Sequence, residues 1–300
     1  MTTYKIILLT CAAGMATPAG ALAAEADAVL FSLPDKSVIT GSEAPVAGTG
    51  NRFTGSISLH GSGTRFEAEG YEAEATEWAL RGALNADYGN GWNFQADGHY
   101  GRSDVEGFGM DELSATAHVY QRADDRYAAG AFVSGSRLGS DLFDALALWG
   151  ADEFALGYLA GGEAAAFTDQ MTFHGYAGFG TLDYSGFELG RLAAGLGARF
   201  YANDNLRFGL DGEYQQLSYL DLSAEMFSLS GIANYRLPEQ PVTLYGGYRY
   251  SDVSLQYDDT EIASADAHSM LAGVKFNFGS ASLKDEERNG AMWNKRGLSF

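Results

Sequence analysis

The chain has 300 residues, a formal charge of −20 and a single cysteine, Cys11. Such acidity excludes nucleic acid as a partner, because phosphate binding needs a basic surface, and one cysteine excludes intrachain disulfides and Cys-ligated metal sets. The 39 glycines, 17 tyrosines and 18 phenylalanines against only five prolines suit a chain whose backbone N–H groups nearly all enter hydrogen-bonded ladders, since proline lacks the donor.

Residues 1–23 read as a cleavable signal peptide. Lys5 supplies the positive charge, Ile6 to Ala16 the apolar stretch, and Ala21-Leu22-Ala23 the small-x-small pattern that sets cleavage after Ala23 or Ala24. Gly14, Pro18 and Gly20 interrupt the run, which is too short for a membrane-spanning helix. Leu8-Leu9-Thr10-Cys11 resembles a lipoprotein site only loosely, since Thr10 is bulky for its position. Cleavage removes Lys5 and Cys11, so the mature chain has no thiol and its charge goes from −20 to −21. Residues 24–51, rich in Ala, Gly, Ser and Thr, read as a periplasmic leader, either disordered or tucked inside the folded region. No run of about eighteen apolar residues occurs after the signal, so no helical span is expected.

From Arg52 onward apolar residues recur at every second position in segments bounded by turn signals, the period of half-buried strands. The hairpin from Trp78 to Tyr100 is the clearest. Trp78, Leu80, Leu84 and Tyr88 share one face against Glu77, Arg81, Asn85 and Asp87; after Gly89-Asn90-Gly91, Trp92, Phe94 and Tyr100 oppose Asn93, Gln95, Asp97 and His99. Counting on, strands are expected near 52–62, 76–88, 92–102, 112–122, 126–137, 153–163, 171–181, 190–202, 205–217, 226–237, 242–253 and 268–279. Ser140 to Asp152, with Leu142, Phe143 and Trp149, is read as a long loop that folds into the lumen, because one added strand would make the count odd.

The pattern predicts an all-β fold: a transmembrane antiparallel up-and-down β-barrel of about twelve strands over residues 52–279. Aromatic pairs such as Trp78 and Tyr88 fall near the two ends of a strand, as interfacial girdles require. A soluble β-sandwich is the competing architecture, but it tends to bury its aromatics centrally. Connections alternate short (near Asn90, Asp124, Thr168, Asp204 and Glu239) and long (near Gly70, Glu106, Leu146, Tyr184, Leu220 and Thr260). Short turns belong to the periplasm, so both termini are expected there, with residues 280–300 as a charged periplasmic tail. The expected location is the outer membrane of a Gram-negative bacterium.

Phe200-Tyr201-Ala202-Asn203-Asp204-Asn205-Leu206, Tyr248-Arg249-Tyr250-Ser251 and the segment Ser282 to Ala291 after the last strand resemble the small porin-like outer-membrane barrels of alphaproteobacteria. The resemblance runs from about Arg52 to the tail and implies a barrel with passive permeation. It carries over no functional residue. Outer-membrane barrels usually end on an aromatic residue that the barrel-assembly machinery recognises, and here Phe278 and Phe300 are both candidates.

Strand parity places Arg81, Asp97, Arg199, Arg207, Asp211, Glu213, Arg236, Arg249 and Lys275 on the inward face as candidate pore-lining residues. Opposed charges of this kind either line a water-filled constriction or neutralise one another. Arg199, Arg207 and Arg236 fall near the periplasmic ends of consecutive strands and should form one lumenal basic cluster. The outer loops carry Glu67, Glu69, Glu72 and Glu74, then Asp104, Glu106 and Asp111, then Asp258, Asp259 and Glu261. They are expected either to be simply solvated or to bind Ca²⁺ or Mg²⁺ weakly and bridge to lipopolysaccharide.

His60, His99, His118, His174 and His268 are scattered over different strands without a catalytic or metal motif, so no enzyme, cofactor or metal site is expected. The functional expectation is passive diffusion of small hydrophilic solutes or ions. The alternatives are a closed structural or surface-interaction barrel and, last, a barrel enzyme. Outer-membrane lipids, lipopolysaccharide, the assembly machinery and small solutes are the expected partners, and homo-oligomers are compatible with the sequence.

Overall fold

A computed structural model describes residues 52–68, 70–123, 125–141, 154–258, 260–294 and 296. The signal peptide, the leader and most of the 140–152 stretch lie outside these residues.

Twelve antiparallel strands close into one barrel. They are β1 (Arg52–Ala68), β2 (Tyr71–Asp87), β3 (Trp92–Val105), β4 (Phe108–Ala123), β5 (Tyr127–Ser140), β6 (Phe154–Phe167), β7 (Met171–Tyr184), β8 (Phe187–Asn203), β9 (Leu206–Tyr219), β10 (Leu222–Arg236), β11 (Val242–Tyr257) and β12 (Thr260–Phe278). Each pairs with its sequence neighbours, and β1 meets β12 from Gly55↔Phe278 to Ala68↔Ala265, so no edge is left open. The rim holding both ends of the barrel is called the base, the other the mouth.

Ile57, Leu59, Leu80, Leu84, Leu196 and Leu210 are exposed on the outside, whereas Thr54, Asn85, Gln95, His118 and Asn277 are buried inside. A soluble protein does the reverse. Apolar outside and polar inside is the arrangement of a barrel whose outer solvent is lipid, and it removes the sandwich alternative. Trp78 on β2 and Tyr88, the residue just after it, bracket Leu80 and Leu84. Ten residues apart on a tilted strand, they stand about 23 Å apart along the barrel axis.

At the base the turns are tight, as expected. Gly89 and Gly91 take φ of 76° and 84°, and Asp87 Oδ1 accepts from Gly89 N at 2.8 Å. At the mouth the long loops expected near Gly70, Glu106, Tyr184, Leu220 and Thr260 are instead brief turns on longer strands: β1 runs to Ala68, and β2 starts at Tyr71. Glu106-Gly107 and Ser185-Gly186 make left-handed two-residue turns, with φ of 52° and 89°, and 50° and 80°.

The strands outgrow their expected ends because the alternation inverts there. Near the mouth the acidic residues Glu72 and Glu74 point out while Phe66, Ala73 and Ala75 point in. Above the lipid the outer solvent is water, so polar-out and apolar-in is the favoured phase while the ladder continues.

The chain beyond β12 is the second departure. It does not trail from the barrel as the expected periplasmic tail; Ser282 caps a short helix, α1 (Leu283–Asn289), accepting from Asp285 N at 3.0 Å, and α1 and the residues after it pack inside the base. Leu283, Met292 and Trp293 are buried there.

Candidate functional site: an occluded polar lumen

The lumen has three zones. The lowest is filled by residues 280–294 and Arg296, which contact the wall around most of its circumference. Arg52 of β1 pairs with Asp285 at 2.7 Å, Lys275 of β12 with Glu286 at 2.8 Å, and Arg199 of β8 reaches Glu287 Oε2 at 2.6 Å. Arg207 of β9 donates to the same oxygen at 3.1 Å. On the opposite wall Arg122 of β4 donates to Gly290 O at 2.8 Å, and Gln95 of β3 both donates to Trp293 O at 2.9 Å and accepts from Trp293 N at 3.2 Å. Trp293 meets Tyr120 edge-on with ring centroids 5.7 Å apart. A charged segment tolerates this burial because the wall supplies a counter-charge for each carboxylate.

Burial alone would push the Glu287 carboxyl up, but the adjacent Arg199 and Arg207 guanidiniums outweigh it and hold the group below the usual carboxylate range. Asp285 is also held low: its burial is outweighed by hydrogen bonds from Arg52 and the Ala281 amide.

Above the tail lies a chamber of about 280 Å³. Of the candidate pore-lining residues, Arg81, Arg199, Arg207, Asp211, Glu213, Arg249 and Lys275 line it. Asp97 and Arg236 do not. Asp97 is buried behind Arg81, which it binds directly, and also faces His118 Nε2 at 3.3 Å. Arg236 sits lower, donating to Ser280 Oγ at 3.0 Å and Ser280 O at 2.6 Å. Arg199, Arg207 and Arg236 all face the tail, but only the first two converge on one carboxylate.

Four chamber residues that matter were not among the candidates: Glu77, although the sequence already put it on the face of Arg81, and Tyr176, Arg191 and Arg296. Arg191 was legible, since parity against outward Leu192 and Leu196 puts it inside. Arg296 was not, because it belongs to the tail. Its Nη2 lies 3.2 Å from Glu163 Oε2, and its guanidinium stacks 3.7 Å from the Tyr176 ring centroid. Glu163 in turn binds His118 Nδ1 at 2.8 Å. Arg81, Asp97, His118, Glu163 and Arg296 thus form a continuous chain of polar contacts from β2 to the tail. Separately, His174 Nε2 lies 2.9 Å from Asp211.

The third zone, at the mouth, is apolar. Phe66, Val105, Leu217, Met226 and Val253, from five strands, pack across the lumen with Ala residues between them, and Phe66 and Met226 are fully enclosed. Outside this seal several of the acidic residues are taken up locally. Arg65 pairs with Glu72 at 2.6 Å and Glu67 at 3.4 Å, Tyr71 donates to Glu106, and Asp104 accepts from Gly107 N at 3.0 Å. Glu69 and Asp259 lie outside the described residues. Among those described, no group of three or more His, Cys, Asp or Glu is placed to hold a metal ion.

No protein-family model matches the chain, and no curated protein matches it. Among solved structures it is similar to the β domain of the Bordetella autotransporter BrkA, at 14% identity and TM-score 0.48, covering 75% of this chain and 99% of that one. The translocator domain of the autotransporter NalP from Neisseria meningitidis gives 16% identity and TM-score 0.45, over 81% and 93% of the two chains. A Pseudomonas aeruginosa FadL homologue gives 9% and 0.44, over 76% and 90%. Likeness this distant carries no functional argument; the barrel architecture rests on the strand register itself.

Proposed function

We propose that the chain is a porin-like barrel of a Gram-negative outer membrane, closed at rest, through which small hydrophilic solutes or ions diffuse when its two seals yield. The base faces the periplasm and the acidic mouth the exterior, next to lipopolysaccharide. The resemblance of its turn and tail segments to alphaproteobacterial porin-like barrels agrees with this assignment, and no catalytic step is part of it.

One observation carries the reading: between an apolar seal and a non-covalent plug the middle of the lumen stays charged and unfilled. Burying ionised groups is expensive, and a barrel that needed only to be stable would pack its centre as it packs its mouth. A seal of apolar side chains opens by wetting, and a plug held by ion pairs opens by exchange of those pairs. The seal formed by Phe66 and Met226 also favours a second reading, a permanently closed barrel with a structural or surface-contact role.

Planar-bilayer recording separates the two. Brief openings of the full chain are expected, more frequent in E286Q/E287Q and in F66S/M226S. Silence in the wild type and in a variant combining all four substitutions would establish the closed barrel.

A further inference from the structure

We infer that Arg199, Arg207 and Lys275 form a binding site for small dicarboxylate solutes, for which the tail carboxylates Glu286 and Glu287 are tethered, displaceable occupants. The inference rests on reading the chamber as a solute path and names the solute class.

The three cations stand on β8, β9 and β12, each fixed in the ladder. Their partners are not. Glu286 and Glu287 lie on a seven-residue helix outside the sheet. Arg199 Nη1 also donates to Met292 O at 3.0 Å, so this guanidinium holds the tail twice. A set of cations fixed in the ladder and closed over carboxylates from outside it is an anion site with its ligand attached to the same chain.

Two further observations indicate that the site extends beyond the tail. Six basic wall side chains line the chamber against only Glu77, Asp211 and Glu213 from the wall, so the wall alone is basic. Among these six, Arg249 has a buried Nε with no hydrogen-bond partner among the described residues, although it borders the same chamber. An anion leaving Arg199 and Arg207 toward the mouth therefore meets another guanidinium.

The chemistry of the occupant selects the class. The two resident groups are carboxylates on adjacent residues, one held by two guanidiniums and the other by an ammonium. A solute with two carboxylates a few bonds apart can replace both contacts at once, and a chamber of about 280 Å³ admits a molecule of a few carbons.

Succinate is the probe, with chloride and inorganic phosphate as arms at matched ionic strength, and the refolded full chain in detergent as the protein. Trypsin cuts after Arg288 only when α1 leaves the lumen, since Arg288 is held by Met171 O at 3.2 Å and stacks on Phe167. Succinate at ten times its dissociation constant should speed this cut about tenfold by competing for the docked state, with little effect from the other anions. In E286Q/E287Q, calorimetry should show tighter succinate binding than in the wild type, and R199Q/R207Q should abolish both effects. Cleavage no faster in succinate than in chloride overturns the site, and equal acceleration by phosphate overturns the carboxylate assignment. The wild-type arm decides alone if a variant does not fold. Succinate-driven release from a barrel that never conducts would sink the conduction reading and leave the site standing; a conducting barrel indifferent to succinate would do the opposite.

Discussion

Glu287 and Arg199, 88 residues apart in sequence, meet with Oε2 2.6 Å from Nη1, and this contact fastens the end of the chain inside the barrel that precedes it. Both side chains are buried, so each is the other's main compensation for lost water.

That mutual dependence is measurable as a coupling energy. A double-mutant cycle of R199A and E287A, read as the docking equilibrium of the tail, should return about 2 kcal/mol, less than an isolated buried pair because Arg207 still holds Glu287 when Arg199 is removed. Coupling below about 0.5 kcal/mol would make the contact incidental.

Docking should also depend on pH, in a direction fixed by the lowered carboxyls of Glu287 and Asp285. A group whose folded pKa is depressed adds stability above its unfolded value, and this is lost as pH falls through the folded value. The ordinary values are 4.5 for Glu287 and 3.8 for Asp285, so docking should be flat from pH 8 to about 5 and weaken below about 4. Emission from Trp293, with Trp78, Trp92 and Trp149 changed to Phe, reports it. A red shift near pH 6 would contradict the assignment.

The seal at the mouth should behave as a hydrophobic core. Truncating Phe66 to Ala should cost about 3 kcal/mol in urea unfolding, whereas Phe53→Ala, on the exposed outer face, should cost much less in detergent. Equal losses would mean that the mouth is not packed.

Selectivity should follow position in the lumen rather than charge alone. Arg207 lines the chamber, whereas Arg236 lies outside it, tied to Ser280 and to Gln240 O. Hence R207Q should move the reversal potential of open channels toward cations, and R236Q should leave it nearly unchanged while raising opening frequency. A larger shift from R236Q would relocate the constriction to the base.

The seam between β1 and β12 gives a prediction about assembly. At Gly55 an added Cβ would lie 2.4 Å from Ala83 O and from the ring of Phe278, so Gly55→Val should impair closure. Phe278→Ser should slow assembly, and removal of Phe300 should not, as judged by heat-modifiable migration. Normal assembly of F278S would shift the recognition role to Phe300.

Much of this architecture was legible because lipid imposes a strict two-residue period. Every expected strand from Arg52 to Gly279 overlaps an observed one, and the inward parity of Arg199, Arg207 and Lys275 followed from outward Leu196, Phe208 and Val274. The mouth escaped because the period survives there while its phase reverses: Phe66 and Val253 look misplaced to a reader who expects lipid outside. The tail escaped for another reason. Lys284 to Arg288 reads as a solvated charge run, and nothing local tells Glu287 that its partners lie on β8 and β9.

The tail's binding surface does not exist in any single strand or hairpin. Asp285 needs Arg52 from the first strand and Glu286 needs Lys275 from the last, so both halves come into register only when the cylinder has shut. The segment after β12 is thereby a sensor of the barrel's completion. A barrel that stalls unsealed leaves this charged, helix-forming segment exposed to proteases, while a finished one tucks it away.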